Sequence, residues 1–298
     1  MATLVTHNDL DGCVCAILFK AVYPDGKYYI ENYDTVDERI KQILEEKPEQ
    51  LFITDISPSR EVAKLLDQDP YCNVLLFDHH KTALHFNDYH WAVVDTGGFC
   101  GADLFYSFLA DKHRKDLTKL GKYDKLVFHA NDYDLWFHRD PRSTIINSLL
   151  NFLGCERFVN RFLVNPSVDF TETEKHILEI EKEKEEKYIS EAVNATKIYG
   201  IYAITFAEKL ISQIGHNILH KFNVDVAVIV NAQKGTVSFR SSVNDVSLFA
   251  KVFGGGGHPN AAGFTIPDHL LYHRIVDLLL AAICNDPNLV NKKRRKFL

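Results

Sequence analysis

Val74-Leu75-Leu76-Phe77-Asp78-His79-His80 is a run of four apolar residues that breaks abruptly into an acid and two imidazoles. Four residues are too few for a helix and enough for a strand. A continuous apolar run, rather than an alternating one, means that both faces of the strand are covered, as in a parallel sheet flanked by helices. The pattern recurs in both directions along the chain. Before it lie Leu51-Phe52-Ile53-Thr54, Tyr28-Tyr29-Ile30 and Leu4-Val5-Thr6, and after it Trp91-Ala92-Val93-Val94. Helical patterns separate these runs, through Ala16, Ile17, Phe19 and Lys20, through Ile40, Ile43 and Leu44, and over 62–66. Strands alternating with helices predict an α/β fold whose N-terminal part is a doubly wound, mostly parallel sheet. From Gly101 to about Leu163 the pattern is mainly helical.

Asn165-Pro166-Ser167 marks a boundary, which gives a first domain over 1–165. Thr171-x-x-Glu174 is a capping-box pattern that starts a helix, and 181–187 reads EKEKEEK, a solvated helix face laced with i,i+4 pairs. Residues 166–198 are therefore expected to form a linker helix. It joins the sheet to a smaller α/β C-terminal domain over 199–290. Strands are expected there at 201–206, 226–230, 236–240 and 264–266, and helices at 209–220, 245–252 and 270–283. Residues 291–298 form a basic tail holding Lys292, Lys293, Arg294, Arg295 and Lys296, read as a solvated terminus, with auxiliary contact to RNA as the alternative.

Composition bounds the function. The 298 residues carry 34 basic and 40 acidic side chains, a net charge of −6. Without the five basic residues of the tail the balance is 29 against 40, or −11. Such a body is ill suited to coating a long nucleic acid, which depends on many Lys and Arg contacts to phosphate. Charged residues at 25% and hydrophobic residues at 46% exclude wholesale disorder. No apolar run approaches the roughly 18 residues needed to span a bilayer, and residues 1–7 lack a secretory pattern, so a cytoplasmic protein is expected. Cys13, Cys15, Cys72, Cys100, Cys155 and Cys284 are scattered and lack metal-binding spacing, and they read as buried thiols.

Four polar clusters share one position, just past an apolar run. His7-Asn8-Asp9-Leu10-Asp11-Gly12 follows the first, Asp55 follows Leu51-Phe52-Ile53-Thr54, and Asp78-His79-His80 follows Val74-Leu75-Leu76-Phe77. Asn131-Asp132-Tyr133-Asp134 follows the apolar stretch 126–128, read as a further strand. In open α/β sheets ligands bind in the crevice outside the carboxyl ends of the strands. Taken alone, Asp55 reads as a helix N-cap and Asp78-His79-His80 as a turn. In order and at strand ends, the four clusters read as one site. Carboxylates gathered at close range repel each other unless cations offset them. Two divalent ions balance Asp9, Asp11, Asp55 and Asp132. Imidazole and carboxylate without cysteine favour Mn²⁺, with Mg²⁺ as the alternative, over structural zinc. Two such ions about 3.5–4 Å apart can hold a bridging hydroxide for in-line attack on phosphorus.

With these motifs, HNDLDG at 7–12, TDIS at 54–57, FDHH at 77–80 and NDYD at 131–134, the sequence resembles the DHH-type phosphoesterases. SFRSS at 238–242 and GGGGHPNAAGF at 254–264 resemble the family's DHH-associated domain, so the likeness covers nearly the whole chain. The resemblance implies that His7 and Asp9 bind one metal, that Asp55 bridges two, and that Asp11, His79 and Asp132 hold the second. Asp134 is the alternative to Asp132, which stands nearer the apolar run. His80 would assist at the scissile phosphate as an acid or electrostatic group, and Asp78 would orient the histidines.

The glycine run 254–257 lets backbone N–H groups approach an anion closely. With Arg240 and Ser241 before it and His258 and Asn260 after it, it matches the family's substrate loop, in which Arg240, Ser241, Gly255, Gly256, Gly257, His258 and Asn260 would hold the substrate across a crevice from the metals. The expected activity is that of the nano-RNase, oligoribonuclease-like branch: Mn²⁺-dependent hydrolysis of short oligoribonucleotides or dinucleotides to mononucleotides, by attack of a metal-bridged hydroxide. Hydrolysis of cyclic nucleotides, cyclic dinucleotides or 3′-phosphoadenosine 5′-phosphate stays open beside it. A non-catalytic nucleic-acid-binding relative is the alternative of another class. The expected partner is short RNA or a dinucleotide, not a membrane. A homodimer is compatible with the sequence.

Overall fold

Five parallel strands make the first sheet: β1 (Ala2–His7), β2 (Lys27–Glu31), β3 (Gln50–Thr54), β4 (Asn73–Asp78) and β5 (Ala92–Val94), in the order β2-β1-β3-β4-β5. This computed structural model describes residues 1–70, 73–112 and 117–266. Cys72, Cys284, the helix expected at 270–283 and the basic tail lie outside the described residues. Crossover helices α1 (Leu10–Val22), α2 (Val36–Glu45) and α3 (Arg60–Gln68) link the first four strands, and α4 (Gly101–Lys112) follows the fifth. The strands run parallel because each is followed by a segment long enough to recross the sheet.

Alternate strand residues point to opposite faces, and the core is divided accordingly. Leu4, Phe52 and Phe77 join a cluster with Val14, Ile17, Leu18 and Phe105 on one face. Val5, Leu51, Ile53 and Leu76 pack with Ile40, Ile43, Val62 and Leu66 on the other. On α1 ten consecutive residues from Leu10 to Phe19 are buried, so this helix is apolar all round, as a central helix must be. It is enclosed by α4 and by the short helix α5 (Leu117–Leu120), α6 (Asp124–Asp134), α7 (Pro141–Leu153) and α8 (Cys155–Val164), whose residues fill the same cluster. The stretch 126–128, expected as a strand, lies within α6. Leu126, Val127 and Ala130 are the buried apolar positions of α6, beside the buried His129 and Asp132, and that spacing of one and four is helical rather than alternating.

The chain divides into two compact units between Glu179 and Ile180, inside the 23-residue helix α9 (Glu172–Asn194). The helix expected as a separate linker therefore belongs partly to each unit. Its start is the expected capping box: the Glu174 N–H donates to Thr171 Oγ1 at 3.2 Å and the Thr171 N–H donates to Glu174 Oε2 at 2.7 Å. The second unit holds β6 (Lys197–Tyr199), β7 (Tyr202–Phe206), β8 (Val226–Asn231), β9 (Thr236–Arg240), β10 (Gly256–His258) and β11 (Ala261–Thr265), in the order β10-β11-β9-β8-β7-β6. Strands β7 and β8 pair parallel, and the other neighbours antiparallel. Helix α10 (Ile211–Phe222) and the end of α9 cover one face, with Ile214, Ile218, Ala192 and Val193 packed on Ala203 and Ile229. Helix α11 (Val246–Val252) covers the other with Val246 and Ala250 against Val228, Val237 and Phe239.

Candidate metal centre

The C-terminal ends of β1, β3 and β4 place acids and imidazoles side by side. Asp9 caps α1, its Oδ1 accepting the Gly12 N–H at 3.0 Å, while its Oδ2 lies 2.7 Å from His7 Nδ1. Gly12 is required there, because a Cβ would meet the His7 carbonyl oxygen at 2.1 Å. Asp11, in the first turn of α1 and fully buried, reaches the start of α4, where its oxygens accept the Gly101 and Ala102 N–H groups at 2.6 and 2.7 Å. Asp55 is fully buried at the tip of β3 and is held at φ 57°. A left-handed Asp is unusual and costs conformational energy, and such outliers gather at functional sites. Gly101 closes over it: a Cβ at that position would come within 2.8 Å of Asp55 Cβ.

Asp78 ends β4 with both oxygens engaged. Oδ1 accepts the His79 and His80 N–H groups at 2.7 and 3.0 Å and lies 2.7 Å from His80 Nδ1, while the Ser57 hydroxyl donates to Oδ2. It therefore fixes the backbone turn and the His80 ring together. His79 Nε2 stands 3.3 Å from Asp55 Oδ1, 3.8 Å from Asp11 Oδ2 and 3.2 Å from Asp134 Oδ2.

Three groups of ligand atoms result, each within 4.8 Å: His7, Asp9 and Asp55; Asp55, His79 and His80; Asp11, His79 and Asp134. Asp55 is shared by the first two and His79 by the last two. The donor set suits cations. Asp55 Oδ2 and Asp134 Oδ2 are buried without a hydrogen bond, although His7 Nδ1 lies 3.8 Å from the first and His79 Nε2 3.2 Å from the second, an expense that a bound cation would offset. Burial, with the neighbouring charges of Asp11 and Asp9, holds the Asp55 carboxyl well above the usual range and pushes Asp134 up to about 7. Burial and Asp9 likewise raise Asp11. Without cations these acids hold their protons more tightly than free carboxyls do, and the donor set fits divalent cations.

The structure differs from the sequence reading at the fourth motif. Asp132 is buried on α6 with its carboxylate committed elsewhere: Oδ1 accepts the Arg139 N–H at 2.8 Å, and Oδ2 accepts the Asp140 N–H at 3.2 Å and the Ser143 hydroxyl at 2.6 Å. Burial raises its pKa, and these donors more than reverse that. Asp134, two residues on, points into the cluster. On a helix two residues lie on different faces, so only one of the pair can face the site. Tyr33 was missed by sequence reasoning. It follows β2, and its ring lies 5.3 Å from that of His7 and 6.3 Å from that of His80. Burial and the surrounding aspartates raise its pKa, which keeps the phenol protonated. The signal for Tyr33 in the sequence is its place just past the C-terminal end of β2, at the same crevice as the acids and histidines.

In the second unit the glycine run forms a hairpin rather than a loop. Gly256, Gly257 and His258 pair antiparallel with Gly263, Ala262 and Ala261 at the sheet edge, and all three are exposed. Gly257 has φ 138°, and a Cβ there would lie 2.6 Å from the Ala261 carbonyl oxygen. Ala261 pairs with Arg240, so the hairpin and Arg240 are neighbours. The Arg240 guanidinium donates to the Phe239 carbonyl at 2.9 Å and to Ser212 Oγ at 3.1 Å, two of its five N–H groups. Ser241 is turned inward. Its hydroxyl donates to the Asp225 carbonyl at 2.7 Å and accepts the Val243 and Asn244 N–H groups at 3.2 and 2.9 Å. Asn260 contributes its carbonyl to the Ser241 N–H at 3.1 Å.

Residues 180–285 match the DHHA1 domain family. The oligoribonuclease NrnB of Bacillus subtilis is 31% identical over 301 residues, spanning 91% of this chain and 74% of that protein. Among solved structures, exonuclease RecJ bound to manganese superposes with a TM-score of 0.57 at 17% identity over 97% of this chain and 91% of its own. A pGpG-specific phosphodiesterase from Vibrio cholerae superposes with 0.53 at 16% identity over 96% of this chain and all of its own. The rim of acids and imidazoles on a parallel sheet, with a DHHA1 unit after it, defines a hydrolase acting on phosphoester bonds. The chain belongs to the DHH-type phosphoesterase family. Among the described residues no helix is long and apolar enough to cross a membrane.

Proposed function

We propose that this protein is a Mn²⁺-dependent phosphodiesterase that degrades very short RNA or dinucleotides to mononucleotides. One observation carries the reading: Asp55 and Asp134 each keep a buried carboxylate oxygen without a hydrogen bond inside a cluster of imidazoles and acids. Likeness to the oligoribonuclease supports the substrate class. His7, Asp9 and Asp55 would hold one ion, and Asp55, Asp11, His79 and Asp134 the other, with Asp134 in the role first expected for Asp132. When bound, such ions acidify water and neutralise the charge of a phosphodiester.

The chain's own residues divide the remaining work. Asp78 fixes the His80 ring through Nδ1 and raises its pKa, which equips that imidazole to donate a proton or positive charge to a developing oxyanion. Tyr33 flanks His7 and His80 as a neutral donor. In the second unit Arg240, His258 and the exposed hairpin backbone at Gly256 and Gly257 offer donors to a phosphate, while the Gly255 N–H is taken by the Ala250 carbonyl at 2.9 Å. Ser241 supports that hairpin rather than the ligand, because its hydroxyl is used within the unit, and the Asn260 carbonyl accepts the Ser241 N–H. A net charge of −6 agrees with a short substrate gripped by few groups. RNA fragments of that length arise inside cells, which sets the reading in the cytoplasm.

The test is turnover with Mn²⁺ of a panel comprising a 5′-phosphorylated RNA dinucleotide, a longer RNA, cyclic dinucleotides, 3′-phosphoadenosine 5′-phosphate and pyrophosphate. The dinucleotide should be consumed fastest. A stronger preference for a cyclic dinucleotide or for the bisphosphate would move the protein to another branch of the family. No turnover of any member would leave a binding protein.

A further inference from the structure

The segment after Asp134 is built in an unusual way. Trp136 and His138 both have left-handed backbone, φ 60° and 50°, without glycine at either position. The buried Asp132 makes this conformation. Its main-chain carbonyl accepts the Phe137 and His138 N–H groups at 3.0 and 3.2 Å, and its carboxylate accepts those of Arg139 and Asp140. Four amides of one segment thus converge on one residue, which folds the segment back on the end of α6. The result is a set of presented rings. Trp136 is 67% exposed and Phe137 41%. The Trp136 and His138 rings meet edge to face at 4.4 Å, and Tyr133 stands 6.2 Å from the one and 5.9 Å from the other. Arg139 lies 4.1 Å over Phe137, and Asn147 donates to the Tyr133 hydroxyl at 2.8 Å.

An exposed tryptophan held by strained backbone and a buried carboxylate is a costly arrangement for a surface with no ligand. Its neighbour identifies the ligand. Trp136 is two residues from Asp134, so their Cα atoms are at most about 7.6 Å apart, and Asp134 Oδ2 lies in the candidate metal cluster. A flat aromatic face with an imidazole and a guanidinium beside it matches the chemistry of a nucleobase, which stacks on any such π-surface. We propose that Trp136, backed by His138 and Tyr133, is the platform on which a nucleobase next to the scissile phosphate stacks. The proposal rests on the phosphodiesterase reading. It gives Asp132 a positioning role, as the clasp of the platform.

The chain has two tryptophans, and Trp91 is buried with its Nε1 donating to Asp67. Trp136 is therefore an internal fluorescence reporter. Titration of the Mn²⁺-loaded protein with AMP, and with a phosphorothioate-linked adenine dinucleotide, should quench wild-type emission and leave Trp136→Phe unquenched. Trp136→Ala should raise KM for the RNA dinucleotide about tenfold with kcat within about threefold, and Trp136→Phe, which keeps a stacking ring, should restore most of it. Unchanged emission at nucleotide concentrations that inhibit turnover would overturn the platform, and so would a KM in Trp136→Ala within about twofold of wild type. Should Trp136→Ala fail to fold, the quench and Trp136→Phe carry the test. If the wild type cleaves nothing while AMP still quenches Trp136, the enzyme reading falls and the platform stands.

Discussion

The two units of this chain use the ends of their sheets differently. In the first, β1, β3 and β4 stop at one level and deliver side chains: Asp9, Asp55, His79 and His80, with Asp55 at 0% exposure. In the second, the edge strand β10 delivers backbone, three exposed residues of which two are glycine, beside the half-buried Arg240. One end gathers acids and imidazoles around buried carboxyls that a cation would offset, and the other presents uncharged donors to water. Chemistry needs groups fixed on rigid elements, whereas recognition of a phosphate needs donors that can be approached. On the proposed function kcat belongs to the first unit, whereas KM is shared between Trp136 in the first and Arg240 in the second, and substitutions in each can break that division.

The largest effect is expected at Asp55. Asn is the mildest replacement, because it tolerates the left-handed backbone and removes only the charge. Asp55→Asn should lower kcat about 10³-fold or more while leaving the metal-free melting temperature equal or higher, since an acid that is costly to bury beside Asp11 and Asp9 gives way to a neutral amide. A chelator should do the same to the wild type. Retained turnover in Asp55→Asn would remove the first unit from the chemistry.

Asp132 and Asp134 provide the next test, because two adjacent acids are assigned opposite jobs. Asp134→Asn should cost about 100-fold in kcat with little loss of stability, whereas Asp132→Asn should destabilise the fold by about 2–3 kcal/mol by leaving buried N–H groups poorly paired. Thermal melts and kinetics on both variants decide it. These residues also mark where the sequence ceased to be legible. The runs that became β1, β3 and β4 were readable because a parallel strand is apolar throughout and its end is punctuated by polar residues. The stretch 126–128 shows the same local pattern, yet it is one face of α6, and only Ala130 in the next turn distinguishes the two. Which acid faces the site follows from that choice. The convergence of Gly101 on Asp55 is a product of packing between distant segments, the left-handed backbone at Trp136 follows from the amides that converge on the buried Asp132, and no sequence pattern announces either.

In the second unit, Arg240→Ala should raise KM for the dinucleotide about tenfold with kcat within about threefold, the signature of lost ground-state binding. A fall in kcat without a change in KM would sink the division of labour, since it would draw Arg240 into the chemistry.

The smallest effect is expected at the start of α9, which belongs to the first unit and lies outside the candidate site. Arg161 grips Glu174 through two hydrogen bonds, Nε to Oε1 at 2.7 Å and an Nη to Oε2 at 3.1 Å, beside the Thr171 cap. Burial pushes the Glu174 pKa up, but Arg161 and the Thr171 N–H outweigh it and hold the carboxyl below its ordinary value of 4.5. A depressed pKa in the folded state contributes stability that is fully present above the unfolded value and is lost as pH falls through the folded one. Glu174→Gln keeps a capping acceptor and loses only the charge. It should therefore cost about 1 kcal/mol near neutrality, a shift of a few degrees in melting temperature, and the gap should narrow steadily below about pH 4.5. Turnover at neutral pH should not change, because a clamp on α9 neither holds a metal nor touches a phosphate. A gap that stayed constant from pH 7 to pH 3 would mean that shape and capping, not charge, secure this end of the helix, and Arg161 would then act by packing alone.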